Sequence, residues 1–381
     1  MKVLYLTTEL FGAHGGIARH GRLVLKVLTE SPQVRAVDVV ALLDRADTQP
    51  DPRYFGPRGG AYLPCGGERR AFVGRSTAAL LRTPYDMVIA GHVHLAPLLL
   101  FAAARRPSCA TIVLVYGIDA WVRLPWLRRV SLRTADLVLA ISRFTAERAT
   151  QVNRLAPSRV EVVHCCLDPF LSACEAPGEH PTADGNGHVR HSLLTVSRLS
   201  LAESSKGHAA ILGALPDVLT SMPNLTYHIV GDGDLKPELE RLIARLGIEQ
   251  HVRFSGPVSD DELRRFYHTC TAYVMPSKWE GFGLVFLEAM AHARPIIAGR
   301  RDAAPEILDG AALLVDPEAP DELARALRGL LASPDLQTRL GAAGYARLTK
   351  RFTYEQFRAS LLGQLQRAAA RRAHGGGGGR C

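Results

Sequence analysis

Short apolar runs, each ending at a glycine or a polar residue and leading into a helix-forming segment, recur along this chain in two series. The first series is residues 2–7, Val37 to Leu43, Met87–Ala90, Thr111 to Tyr116, Leu137–Ile141 and Val160–Val163. The second begins at Leu193 and continues through 226–230, 252–255, 272–275, 296–298 and 313–315. Runs that are apolar almost throughout suit strands buried on both faces. Strands that alternate with helices pair in parallel, because each helix serves as the crossover. Two such series predict an α/β protein of two doubly wound, Rossmann-like domains. An open parallel sheet holds its ligand outside the C-terminal strand ends, where the polar residues fall in both series.

The predicted boundaries are 1–170 for the first domain, 171–191 for a linker and 192–351 for the second domain. A final helix is predicted over 352–371, and a Gly-rich tail at 374–381 is predicted to be disordered. Asp47 to Gly67, rich in Pro, Gly and Arg, reads as a loop.

With 47% hydrophobic and 22% charged residues, the 381-residue chain has the composition of a soluble enzyme. No run approaches the ~20 apolar residues of a membrane span. The start turns polar too soon for a secretory signal. The seven cysteines lack metal-ligand spacing and read as reduced thiols, so a cytoplasmic location is expected. Through residue 165 there are 22 Lys/Arg and 12 Asp/Glu, against 24 and 25 in the rest. The net charge of +9 therefore belongs to the first domain. This one-sided excess points to an anionic partner. Nucleic acid is set aside because no zinc-finger, RNA-recognition or basic-zipper pattern accompanies it. An anionic membrane surface fits better, with Trp121, Trp126 and Leu127 as interfacial anchors and a peripheral position at the inner face.

The densest motif is Pro276-Ser-Lys-Trp-Glu280-Gly-Phe-Gly-Leu-Val-Phe-Leu-Glu288-Ala-Met-Ala, a strand end, a glycine turn and a helix start. A helix N-terminus meets anions through free N–H groups. Glu280 and Glu288 are instead suited to accept hydrogen bonds from sugar hydroxyls. Arg198 follows the strand ending at Ser197, and Lys206-Gly207 precedes a helix starting near His208. Two cations placed there would neutralise a diphosphate without a metal. Gly231-Asp-Gly233 and Gly256-Pro-Val258 are further strand-end turns, the latter suited to an edge-on contact with a base.

Taken together, these pieces resemble family 4 glycosyltransferases of the GT-B fold over nearly the whole chain. The resemblance rests on Gly15-Gly16, Arg198, Lys206-Gly207, Gly231-Asp-Gly233, Phe254-Ser-Gly256, Pro276-Ser277, Glu280-Gly-Phe-Gly, Glu288-Ala-Met-Ala and Pro305-Glu306. It implies a UDP- or GDP-linked sugar donor, transfer with retention, no metal or other cofactor, a ligand cleft between the domains, and a final helix (352–371) that crosses back to pack on the first domain. By that likeness Arg198 and Lys206 hold the diphosphate, Glu280 faces the sugar and Glu288 takes the ribose hydroxyls. Phe282, Gly283 and Leu284 offer amides to sugar or phosphate, and Gly15 and Gly16 allow close backbone approach.

The family's strand-end His-Gly is Tyr116-Gly117 here, followed by Asp119. The sugar contact is expected to pass to Tyr116, Asp119, His92 or His94. The glycines usual before Pro-Glu are replaced by Asp302, Ala303 and Ala304. The acceptor is read as membrane-linked or anionic, with a small natural product still open. The altered Tyr116 motif keeps a second reading open, a catalytically silent nucleotide-sugar or membrane-binding module.

Overall fold

Every pairing between strands among the described residues is parallel, as continuous apolar runs require. The structure is a computed structural model that describes residues 1–12, 15–171 and 191–375. It divides into two units, Met1–Cys165 with Glu355–Cys381, and Cys166–Tyr354.

The strands of unit 1 are β1 (Lys2–Thr7), β2 (Ala36–Ala41), β3 (Gly59–Pro64), β4 (Met87–Ala90), β5 (Ala110–Val115), β6 (Leu137–Ala140) and β7 (Val160–Val162). Their order is β3-β2-β1-β4-β5-β6-β7, so the winding reverses between β1 and β4. Leu4, Leu6, Val88, Val113 and Val138 form one core with Leu80, Leu99, Leu132 and Ala149 of the covering helices. Each such Leu contributes ~1.5–3 kcal/mol by leaving water. The final helix, Tyr354–Gly375, belongs to this unit. It buries Phe357, Leu361, Leu365 and Ala368, one stripe at helical spacing. Its Gln364 donates to Glu161 at 3.2 Å, and Arg372 reaches Asp136 at 3.1 Å.

Two expectations fail here. The 47–67 segment is not all loop, because β3 lies within it and pairs with β2. β3 is an edge strand, mostly half-exposed and closed by Pro64, so it lacks the continuous apolar run that marks its neighbours. Trp121 is not an interfacial anchor. It is 5% exposed, its indole N–H donates to Thr145 Oγ1 at 3.3 Å, and its ring stands edge-on to Phe144.

The strands of unit 2 are β8 (Ser192–Val196), β9 (Thr226–Val230), β10 (Val252–Gly256), β11 (Ala272–Met275), β12 (Ile296–Gly299) and β13 (Leu313–Val315). Their order is β10-β9-β8-β11-β12-β13, with the reversal between β8 and β11. Arg198 and the Pro276 motif follow those two central strands. The linker expected at 171–191 lies outside the described residues except for its two ends. So does the tail beyond residue 375.

Candidate functional site

In unit 2 the motif after β11 folds as its glycines dictate. Gly283 caps the helix Leu284–Ala291 at φ +86, in the left-handed region. A Cβ there would run into the Phe286 ring, so neither the turn nor the packing admits a side chain. Phe282 is buried edge-on against Phe352, which aims the 282–284 backbone. Lys206 ends a 3-10 turn, and its ammonium meets the Glu280 carboxylate at 2.9 Å. The Lys278 N–H donates to the Ser205 carbonyl at 2.8 Å, joining the same two loops. Glu280 is 8% exposed, and its N–H donates to Asp302 Oδ2 at 3.1 Å. Glu288 is buried four residues into its helix and accepts from the Tyr267 hydroxyl at 2.8 Å. Ser277 Oγ is buried at the same strand end with no hydrogen-bond partner among the described residues.

The Gly231–Gly233 turn underlies Arg198. Gly231 sits at φ +129, where a Cβ would collide with the Ser197 carbonyl. The Leu199 N–H donates to Asp232 O at 2.9 Å, and the Leu201 N–H to Asp234 Oδ1 at 2.7 Å. These two glycines therefore hold the Arg198 loop through close backbone packing. Gly231 also bonds the Gly256 carbonyl at 2.9 Å, which fixes the start of the 256–258 turn, where Val258 is half-buried. Arg198 itself is exposed.

Behind these loops runs a hydrogen-bond chain whose proton directions can be deduced. Thr195 Oγ1 donates to the Val274 carbonyl, and the Tyr227 hydroxyl donates to Thr195 Oγ1 at 2.9 Å. With its proton spent there, Tyr227 must accept from His208 Nδ1, 3.0 Å away. His208 is thus the Nδ1–H tautomer, and its Nε2 accepts from Ser197 Oγ at 2.7 Å. Burial, then the Lys206 charge, lowers the His208 pKa to about 4, so the ring is neutral. A groove of about 650 Å³ beside His208, lined by Leu235, Leu239 and Arg241, includes neither Lys206 nor Glu280 nor Glu288.

Unit 1 gathers a second polar cluster past β4 and β5. His92 Nδ1 accepts from the His94 N–H at 3.2 Å, so neutral His92 carries its proton on Nε2, 3.7 Å from Asp119 Oδ2. Burial chiefly, with His94 and Arg128 adding repulsion, lowers His92 to about 4. Above about pH 6, where Asp119 is also ionised, the contact is an imidazole N–H facing a carboxylate, not an ion pair. Asp119 accepts from the Gly117 N–H at 2.6 Å and the Tyr116 N–H at 3.3 Å, yet burial outweighs them and raises it to about 6. Tyr116 stacks on His92 and its hydroxyl meets His20 Nδ1 at 3.2 Å. The structure therefore brings together His92, His94, Tyr116 and Asp119, the four residues among which the sequence could not choose. Gly15 is the N-cap of the helix Gly16–Glu30 at φ −72, and among the described residues an added Cβ would meet only Glu9 Oε1, at 3.7 Å.

Sequence reasoning missed Tyr267, Asp302, His208 and His20. Asp302 had a signal, since it stands where the resembling family has glycine and adopts φ +57. An aspartate tolerates that geometry and here also caps Glu280. The other three lie inside helices and carry no local mark. Among the described residues no three His, Cys, Asp or Glu side chains come together as metal ligands.

The family model described as "Glycosyl transferases group 1" matches residues 189–347, and "Glycosyltransferase Family 4" matches residues 14–169. The chain is 30% identical over 269 residues to the GDP-mannose-dependent alpha-(1-6)-phosphatidylinositol monomannoside mannosyltransferase of Mycolicibacterium smegmatis, spanning 66% of this chain and 67% of that one. It is 40% identical over 247 residues to the MMP alpha-(1->4)-mannosyltransferase of Mycolicibacterium hassiacum, covering 64% and 57%. The Anabaena HepE structure in complex with UDP and glucose matches with a TM-score of 0.76 at 19% identity, over 96% of this chain and 99% of that one. At that identity the likeness speaks for the fold.

Proposed function

The chain belongs to glycosyltransferase family 4, has the GT-B fold and moves sugar from a nucleotide-diphosphate donor; from that premise we propose a metal-independent transfer with retention of anomeric configuration. The observation that carries the proposal is the Lys206–Glu280 contact of 2.9 Å beside the Gly283 helix start. An ammonium has three donors, so Lys206 can hold Glu280 and a phosphate oxygen together. As the sugar–phosphate bond breaks, its electron pair passes to the phosphate oxygen. Lys206, Arg198 and the 282–284 amides offset that charge. The acceptor hydroxyl attacks the anomeric carbon from the same face, and its proton goes to the departing phosphate. Glu280 binds sugar hydroxyls, and Glu288, oriented by Tyr267, binds the ribose. In unit 1, Tyr116, Asp119 and His92 offer hydrogen bonds to a hydroxyl-bearing ligand at their own strand ends, and Gly15 leaves room for one.

The GDP-mannose dependence of the Mycolicibacterium smegmatis relative supports GDP-mannose as the donor, and that relative's named acceptor supports a lipid-linked one. On this reading the protein works peripherally at a membrane.

Titration calorimetry with GDP and UDP tests the site. Lys206→Met and Arg198→Ala are each expected to weaken diphosphate binding by about 10–100-fold, the loss of one charge-assisted contact. Unchanged affinity in both variants refutes the assignment. Product anomer analysis tests retention, and activity unaffected by a chelator tests metal independence.

A further inference from the structure

The basic excess of unit 1 is concentrated on one surface. Between Arg69 and Thr134 the sequence holds ten arginines, no lysine or glutamate, and two aspartates. The two aspartates leave nearly all of that charge in place. Asp86 pairs with Arg106 at 3.3 Å, and Asp119 is nearly buried beneath the Tyr116 turn. The helices Arg69–Arg82, Pro97–Arg105 and Trp126–Thr134 cover the same side of the sheet and share one core through Phe72, Leu99 and Leu132. Their outward side chains are not those of an ordinary solvated face. Val73, Leu81, Phe101, Trp126 and Leu127 are all exposed, Trp126 by 69%, as are Ile118 and Val122 in the segment leading to the last helix. These seven stand among Arg69, Arg70, Arg82, Arg105, Arg123 and Arg133, all exposed.

We propose that this surface docks on an anionic lipid bilayer, with Trp126 and Leu127 entering the interface and the arginines facing lipid phosphates. For its acceptor side this rests on the transferase reading above. One observation selects a bilayer over a nucleic acid, and a second ties the surface to the site. Aliphatic Val73, Leu81 and Leu127 have no counterpart in a sugar–phosphate backbone, whereas an interface takes apolar and cationic side chains together. The same surface also borders the candidate site of unit 1, since the helices Pro97–Arg105 and Trp126–Thr134 both pack on the Val93–Leu95 turn that carries His94. A lipid-borne hydroxyl at the bilayer surface would thus be presented to the His92–Tyr116–Asp119 cluster. Docking serves the acceptor and is separate from donor binding.

Sedimentation of the full chain with vesicles of phosphatidylcholine, with and without phosphatidylglycerol, tests the proposal. Binding is expected only with the anionic lipid, to weaken with salt, and to shift tryptophan emission to the blue. Trp126→Phe should abolish most of that shift, and Arg82→Ser with Arg105→Ser and Arg133→Ser should lower binding about 100-fold. Failure to sediment at low salt overturns the proposal. So does equal binding to an RNA homopolymer with no blue shift, which would mark a polyanion surface. GDP titration of the same samples separates the two claims. Lost docking with intact GDP binding sinks only this inference, and docking without GDP binding sinks only the donor site.

Discussion

The hydrogen-bond chain through His208 can be cut at either end, and the two cuts have different consequences. Asparagine at 208 places an amide near the position of Nδ1 and can still donate to Tyr227. It leaves the Ser197 hydroxyl, 2.7 Å from Nε2 in the native protein, without its acceptor. Glutamine reaches the position of Nε2 and can accept from Ser197, while Tyr227 loses its donor. Each variant forfeits one hydrogen bond, about 1 kcal/mol, and part of a ring at a site 1% exposed, for roughly 1–3 kcal/mol in all. Melting should therefore fall by similar amounts, on the order of 2–4 °C per kcal/mol. Catalysis should separate them. Ser197 immediately precedes Arg198, and its carbonyl packs on Gly231, so releasing its hydroxyl loosens the loop that carries the cation. His208→Asn is expected to raise the donor KM about 5–10-fold, the equivalent of one bond, and His208→Gln to leave it near the native value. Equal KM values in two equally destabilised variants would show that the chain merely packs the core, and the positioning argument would fail.

Three further outcomes follow from the same geometry. Gly283→Ala combines a left-handed backbone with a collision against Phe286, a cost of roughly 2–4 kcal/mol, and should lower both melting temperature and GDP affinity. Tyr267→Phe removes the 2.8 Å hydrogen bond to Glu288 but keeps the ring; a donor KM raised about 10-fold with little change in kcat is expected, and an unchanged KM would deny Glu288 its ribose role. In acid, His208 and His292 of unit 2 are both lowered to about 4, chiefly by burial. The unfolded chain then binds the extra protons, so stability should fall as pH drops from about 6.5 toward 4. In unit 1, His20 and His92 act the same way, but Asp119, raised to about 6, binds its proton more tightly when folded and opposes them below that pH. Asp119→Asn should therefore make unit 1 more acid-sensitive, measured by melting across that range.

How much of this was legible in the chain depends on whether a residue's role is set by its neighbours in sequence or in space. β1, β5 and β11 announce themselves because a strand buried on both faces has no polar position to blur the run. β3 has such positions and reads as loop in sequence, and Trp121 reads as an anchor because its burial by Phe144 and Thr145 comes from a helix more than twenty residues on. The site divides in the same way. Gly283, Glu280 and Lys206 lie in turns whose chemistry is local, so their spacing predicts a function. Their supports do not. Tyr267 reaches Glu288 from a different helix, and His208 meets Ser197 and Tyr227 from two separate strand ends. Substituting Gly283 should damage the site even in a context-free loop, whereas the effect of His208 should vanish once Ser197 is alanine. A double-mutant cycle between positions 197 and 208 measures that difference directly. Additive effects on donor KM would mean that the two residues never acted through one another.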